Sequence, residues 1–296
     1  MKQQKMMLPF KSRKLKSGEY IIVAEEAIPL IVSPFFLEQL SKSNFCMDNL
    51  EKEVIDILSE SGYITKNIED VSIIPDENFS LFWKIGRISW LTLGILSMIF
   101  NLYSISVHHV FVSGQSLIQL NRIGWEMFIY IVIAAISTTT VHEIFHLIFS
   151  RNIQRFKEKT RFYLFKATAT VTMSHIWVWS TFPRFMAVSS GIIADSVFLS
   201  IAIIVQQFFP SWIFSVVFAV LWLRILWQFR FYTNCDGSIL VQCFFDNPSF
   251  AKVLPTDSLK IKLLRISLKV LGYIVLVVIL YIWIYPFIVY FFKSKF

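Results

Sequence analysis

Charge is scarce in this chain. Of 296 residues only 16% are Asp, Glu, Lys or Arg, against about 25% in ordinary soluble domains. Glycine and proline number nine each, too few for a collagen-like or low-complexity disordered chain. Cysteine occurs three times, at Cys46, Cys235 and Cys243. That makes no even disulfide framework and fits reduced thiols facing the cytosol. Met1 to Lys16 is basic but has no apolar stretch behind it, so a cleavable signal peptide is not expected. What is abundant is apolar: 55% hydrophobic residues, 30 of them Phe, and a mean hydropathy of +0.60. An ordinary soluble enzyme is excluded. A helical membrane protein with several spanning runs remains.

Acids are the rarest commodity beyond residue 86, where only Glu126, Glu143, Glu158, Asp195, Asp236, Asp246 and Asp257 occur. Residues 1–80 hold 13 acidic and 9 basic side chains (−4), and 81–296 hold 7 and 19 (+12), which recovers the net +8. The positive charge lies between apolar runs and not on one polar face, which argues against nucleic acid and for loops at an anionic lipid surface.

The chain divides into a cytosolic N-terminal module and linker, 1–80, and a membrane-embedded domain, 81–296. In the module, Tyr20–Val23 and Ile28–Val32 suit strands, Pro34–Leu40 a short helix, and Asp48 with Glu51 a capping box opening a second helix that Gly62 ends. The combination is a small α+β, winged-helix-like unit, followed by a polar linker over 65–80. The fold class expected overall is an all-α polytopic membrane protein with about five spans: Ser89–Val107, Gly124–Ser150, Phe185–Phe208, Trp212–Phe231 and Ser267–Phe292. Phe162–Phe182 is apolar but rich in Thr and Ser, and reads as a hairpin, a re-entrant piece or a sixth span. Loops 151–184 and 230–266 are basic while 108–123 holds only Arg122, so the positive-inside rule puts the N-terminus and both basic loops in the cytosol.

The second span contains His142-Glu143-Ile144-Phe145-His146, an H-E-x-x-H pattern. Histidines at i and i+4 share a helix face and can bind one Zn²⁺, with Glu143 placed as a general base. Zinc brings the pKa of a bound water toward about 7. Ionisable groups inside a bilayer are costly and functional by default. A catalytic zinc calls for a third protein ligand. Asp195, ten residues into the third span, and Asp236, just after the fourth, are the acids left after loop positions are set aside. Topology brings Asp236 to the same side as His146, with Gly237 expected to permit a backward bend. Asp195 reads equally as a site-tuning acid or as the partner of Arg224. Cys235 and His175 read as structural.

HEIFH in one span, Gly191-Ile192-Ile193-Ala194-Asp195 in the next and Asp236-Gly237 after a further span resemble the site-2 protease family of membrane zinc metallopeptidases. Asp236-Gly237-Ser238-Ile239-Leu240 with Asn247-Pro248 resembles its subgroup of bacterial peptide zinc metalloproteases. Ile192 and Asp195 depart from that family's usual Pro and Asn, and Gln228 and Phe231 stand near the places of its usual Asn and Pro before the Asp-Gly. The resemblance implies a three-helix core, one Zn²⁺ per chain held by His142, His146 and Asp236, Glu143 as general base, and Asp195, Asn234 and Gly237 as substrate-contacting or site-tuning residues. It further implies a metalloendopeptidase of the bacterial plasma membrane, with its site near the cytosolic face, maturing a small ribosomally made peptide precursor. Its partners would be that precursor, the lipid bilayer and an ABC-type peptide exporter. The alternatives are a regulatory intramembrane protease cutting a membrane-anchored signalling protein, and a non-catalytic exporter or immunity subunit.

Overall fold

The computed structural model describes residues 6–24, 27–41, 50–65, 74–108, 111–120, 123–151, 160–163, 168–171, 173–248, 250 and 258–293. Four helices are long and apolar enough to cross a membrane: α3 (Leu81–His108), α5 (Trp125–Phe149), α6 (Thr181–Phe208) and the continuous run α9 (Leu259–Ile279), a π turn (Leu280–Ile284) and α10 (Tyr285–Lys293). Large apolar side chains such as Leu96 and Ile99 on α3 and Ile274 and Val277 on α9 are exposed on the outside of the bundle, consistent with helices that could span a membrane.

The expected fourth span is shorter than its hydropathy suggests. Helix α7 covers only Trp212–Trp227, 16 residues, or about 24 Å against about 30 Å of hydrocarbon. The chain then turns and re-enters as α8 (Asp236–Phe245). A second correction concerns the first span, which starts at Leu81 and not at Ser89. Its early Arg87 is accommodated because Nη1 donates to the Asn78 carbonyl and the guanidinium lies 5.6 Å from the Trp83 ring.

Helix α6 is the hub. In its most apolar stretch 67% of residues are buried, against 11% for the last run, because α3, α5, α7 and α8 all pack on it. Asn101 of α3 staples it: Nδ2 donates to the Ser196 carbonyl (2.9 Å), and Ser200 Oγ donates to Oδ1 (2.9 Å). Such polar contacts hold helices together where lipid offers no hydrophobic drive. Helix α4 (Gly114–Gln119), which the sequence did not suggest, packs on the π turn; a Cβ at Gly114 would run into the Trp283 carbonyl.

The N-terminal module opens at β1 (Met6–Met7) and β2 (Phe10–Lys14), ahead of the expected start. β2, β3 (Tyr20–Ala24) and β4 (Leu30–Val32) form an antiparallel sheet with Ile21 opposite Arg13 and Ile31. Helix α1 (Pro34–Leu40) starts at Pro34 as expected, with Ser33 as N-cap. Helix α2 is Lys52–Glu60, with Glu51 as N-cap and no side-chain cap hydrogen bond; the expected capping box rests on Asp48, which lies outside the described residues. Gly62 ends that helix region at φ 82°, and β5 (Ile64–Thr65) pairs with β1.

Strand alternation gives the sheet two apolar faces. Ile22 and Ala24 pack with Leu58 and Tyr63 of the module. Tyr63 Oη donates to the Ile22 carbonyl (2.7 Å), and burial raises its pKa. Ile21 and Val23 instead join Phe149, Trp177, Trp179 and Met186 of the membrane domain. The module is therefore bonded to that domain and not merely linked to it. One carboxylate pins the joint: Asp246, left-handed at φ 54°, accepts from Arg13 (2.6 and 3.1 Å), Arg184 (2.8 Å) and the Lys16 amide. Residues 74–77, expected as linker, are also tied down. Trp179 Nε1 donates to the Pro75 carbonyl, and Glu77 accepts from Ser180 N and Oγ.

The Phe162–Phe182 question resolves toward a hairpin. β6 (Thr160–Tyr163) and β7 (Thr168–Val171) pair antiparallel, β7 runs beside α5, and a single 3₁₀ turn covers Ser174–Val178.

Candidate metal centre

Helical spacing stacks His142 and His146 on the face of α5 that meets α6, with ring centroids 4.8 Å apart. Their Nε2 atoms are 3.1 Å from each other, and Asp236 Oδ2 lies 2.9 Å and 3.1 Å from them. His142, His146 and Asp236 thus form a group that could hold a metal ion. Bonds of about 2.0–2.2 Å to one tetrahedral ion separate its donors by about 3.3 Å, close to these spacings.

Hydrogen bonding outside the group assigns the donors. His146 Nδ1 lies 2.8 Å from the Ala187 carbonyl, which can only accept. His142 Nδ1 lies 2.8 Å from Asp195 Oδ2. Each Nδ1–H is therefore committed, and each neutral ring turns an Nε2 lone pair inward. Asp236 Oδ2 adds another. Three acceptors this close repel one another unless a cation sits among them. The donor set therefore fits a metal.

Asp195 contacts both His142 and Arg224. Besides His142 it accepts from Arg224 Nε (3.3 Å) and Nη2 (3.4 Å), and Arg224 Nη1 also donates to Thr139 Oγ1, one turn before His142. The acid is buried, its side chain 2% exposed, and Arg224 is partly buried at 17%. Breaking such a pair costs several kcal/mol, while the charge-free equivalent is often neutral, so its presence here points to His142.

Asp236 reaches the histidines because the chain doubles back at Gln228. Its carbonyl accepts from Gly237 N (3.1 Å) and Cys235 Sγ (3.0 Å), and its Oε1 accepts from Asp236 N (3.3 Å). The expected reason for Gly237 is corrected. It does not adopt positive φ; the Gln228 carbonyl simply leaves no room for a Cβ. Asn234 is not at the metal group and lines a separate cavity instead. Cys235 hydrogen-bonds to Gln228 and does not join the donors, and His175 Nε2 bonds the Ser150 carbonyl (2.7 Å) beside Trp179.

Two contributors escaped the sequence. Gln228 is one. Gly191 is the other: a Cβ there would lie 2.5 Å from His142 Nε2 and 2.6 Å from His146 Nε2. Its place in the G-x-x-x-D pattern was a signal without a stated role. Glu143 is buried at 8% exposure beside His142 and makes no hydrogen bond to another described residue. The Asp236 side chain is 16% exposed against 3% for each histidine, so the centre opens on the Asp236 side.

Compared with known proteins, the chain matches no family model, no curated protein and no solved structure. The fold and site alone define its class: a helical protein with four helices long and apolar enough to cross a membrane and a His–His–Asp group that could hold a metal ion.

Proposed function

We propose that this chain is a membrane-embedded zinc metalloendopeptidase, similar to the site-2 protease family, that matures a small ribosomally made peptide precursor at the cytosolic face of a bacterial plasma membrane. The observation that carries the proposal is the convergence of two imidazoles and one carboxylate at about 3 Å, with an uncommitted Glu143 beside them. Two nitrogens and one oxygen are a donor set suited to Zn²⁺, and three protein ligands with an open side mark catalytic sites more than structural ones. When bound, Zn²⁺ supplies a Lewis acid that polarises a carbonyl and acidifies water.

The remaining work falls to the chain's own residues. Glu143, with no hydrogen bond to spend, accepts a proton from the attacking water and hands it to the leaving amine. Asp195 and Ala187 fix the rings so that neither swings during turnover. A helix hides its carbonyls, so the scissile segment must be extended. The β6–β7 hairpin beside α5 supports this with strand edges for an extended peptide. The orientation with N-terminus inside rests on loop charge. The module, residues 174–180 and Asp246 make one bonded end of the molecule, in keeping with a shared side. An ABC-type exporter is the partner such a product would meet.

The test is mass spectrometry of candidate precursor peptides co-expressed with wild type or Glu143→Gln. Wild type is expected to release a shortened peptide and Glu143→Gln the intact precursor. Equal processing by both would end the enzyme proposal. Cleavage confined to a single-span protein would move it to the regulatory protease.

A further inference from the structure

A cavity of about 140 Å³ lies where the α7–α8 turn meets α9. Its described lining includes two cations, Arg265 and Lys269, one turn apart on α9, and four neutral polar side chains, Thr233, Asn234, Ser238 and Gln242, but no carboxylate. Arg265 is 4% exposed; its Nε donates to the Phe250 carbonyl, and its guanidinium stands 5.3 Å from the Phe250 ring. Lys269 is exposed, and its neighbours Ile266, Val270 and Tyr273 are all more than half exposed apolar side chains on the lipid-facing side.

The charge of α9 sharpens this. Its first three turns carry Lys260, Lys262, Arg265 and Lys269, and the helix contains no acid. Cations at a helix N-terminus oppose the macrodipole. Lys260 and Lys262 stand in that first turn; Arg265 and Lys269, further along, line the cavity and face no acid on their own helix. A volume of about 140 Å³ admits a phosphate group. Hydroxyl and amide donors beside two cations suit phosphate oxygens.

We propose that this cavity is a phosphate site that takes the headgroup of an anionic phospholipid. The source is lipid and not free phosphate because Lys269 reaches the cavity from a surface otherwise covered by apolar side chains, where an acyl chain has contacts and a soluble ion has none. Asn234 and Ser238 flank Asp236, so the bound headgroup braces the turn that carries the third metal-binding residue. The site itself does not depend on the metal or on catalysis.

Native mass spectrometry of the full chain in neutral detergent tests it, titrated separately with phosphatidylglycerol, phosphatidylcholine and inorganic phosphate. One phosphatidylglycerol per chain is expected to be retained, with phosphatidylcholine weaker. Lys269→Gln should weaken phosphatidylglycerol binding about fivefold, the worth of one interfacial cation, and Lys269→Arg should restore it. Lys262→Gln, a cation outside the cavity lining, should change nothing. Equal losses at Lys262 and Lys269 would mean diffuse charge attraction and overturn the site. Equal retention of the two lipids, or inorganic phosphate competing with the same dependence on Lys269, would overturn the lipid assignment.

Discussion

Replacing Gly191 by alanine should empty the metal centre without touching a ligand. The Cβ would sit 2.5 Å and 2.6 Å from the two Nε2 atoms, about 1 Å inside ordinary carbon–nitrogen contact. Relief by backbone shift is blocked, because Gly191 lies on α6 with α5 packed against it and both flanking residues, Ser190 and Ile192, are buried. Relief by the histidines means giving up the bonds to Asp195 and Ala187. The methyl group also occupies space beside the lone pairs that would face a metal ion. Overpacking of this kind costs about 1–3 kcal/mol, and the displaced donors lose the metal. The assay is zinc content by mass spectrometry together with a thermal melt. Gly94→Ala is the control: its Cβ would meet Ile193 side-chain atoms at 2.8 Å, also against α6 but away from the donors. Gly94→Ala should lower the melt and keep one zinc; Gly191→Ala should lose the zinc. Full zinc occupancy in Gly191→Ala would refute the reasoning.

Other outcomes follow from the same geometry. Asp195→Asn and Arg224→Gln should each lower zinc affinity about 10–100-fold by chelator competition, since they loosen the grip on His142 Nδ1. Asp246→Asn should cost about 3 kcal/mol in a denaturant melt, because it leaves the fully buried Arg184 without its carboxylate. Burial alone would raise the Asp246 pKa, but the Arg13 and Arg184 guanidiniums hold it below the ordinary carboxylate range. Its contribution is therefore fully present above about pH 4, the unfolded value, and is lost as pH falls through the lower folded one. Limited proteolysis should find the N-terminal module released in acid from wild type, and already loosened at neutral pH in Asp246→Asn.

How much of this could be read in advance depended on distance along the chain. The two histidines lie within one helical turn, so local spacing revealed them. Asp236 became legible through scarcity, since seven acids over more than two hundred residues leave few candidates. Gly191 acts through the close approach of two imidazoles to its backbone and Gln228 through bonds to the turn that carries Asp236, neither of which a local pattern encodes. The length of α7 was hidden because Gln228 and Arg230 barely interrupt an apolar run that continues to Phe231, while the break is made by backbone bonds to Gln228. β2 was missed because Phe-Lys-Ser-Arg-Lys has a single apolar residue; it is held by pairing with β3 and by Arg13, whose partner Asp246 lies 233 residues away. The module's outer core could be foreseen, but its docking face could not, because Ile21 and Val23 look like any alternate residues of a strand.

The central claim is that His142, His146 and Asp236 together hold one zinc ion. X-ray absorption at the zinc edge of the purified full-length chain measures that directly. The prediction is one zinc per chain in a shell of nitrogen and oxygen only, with the scattering pattern of two imidazoles that disappears in Asp236→Ala together with the bound zinc. A sulfur scatterer, which would bring in Cys235, or a chain that purifies with both histidines intact and no zinc, would contradict it.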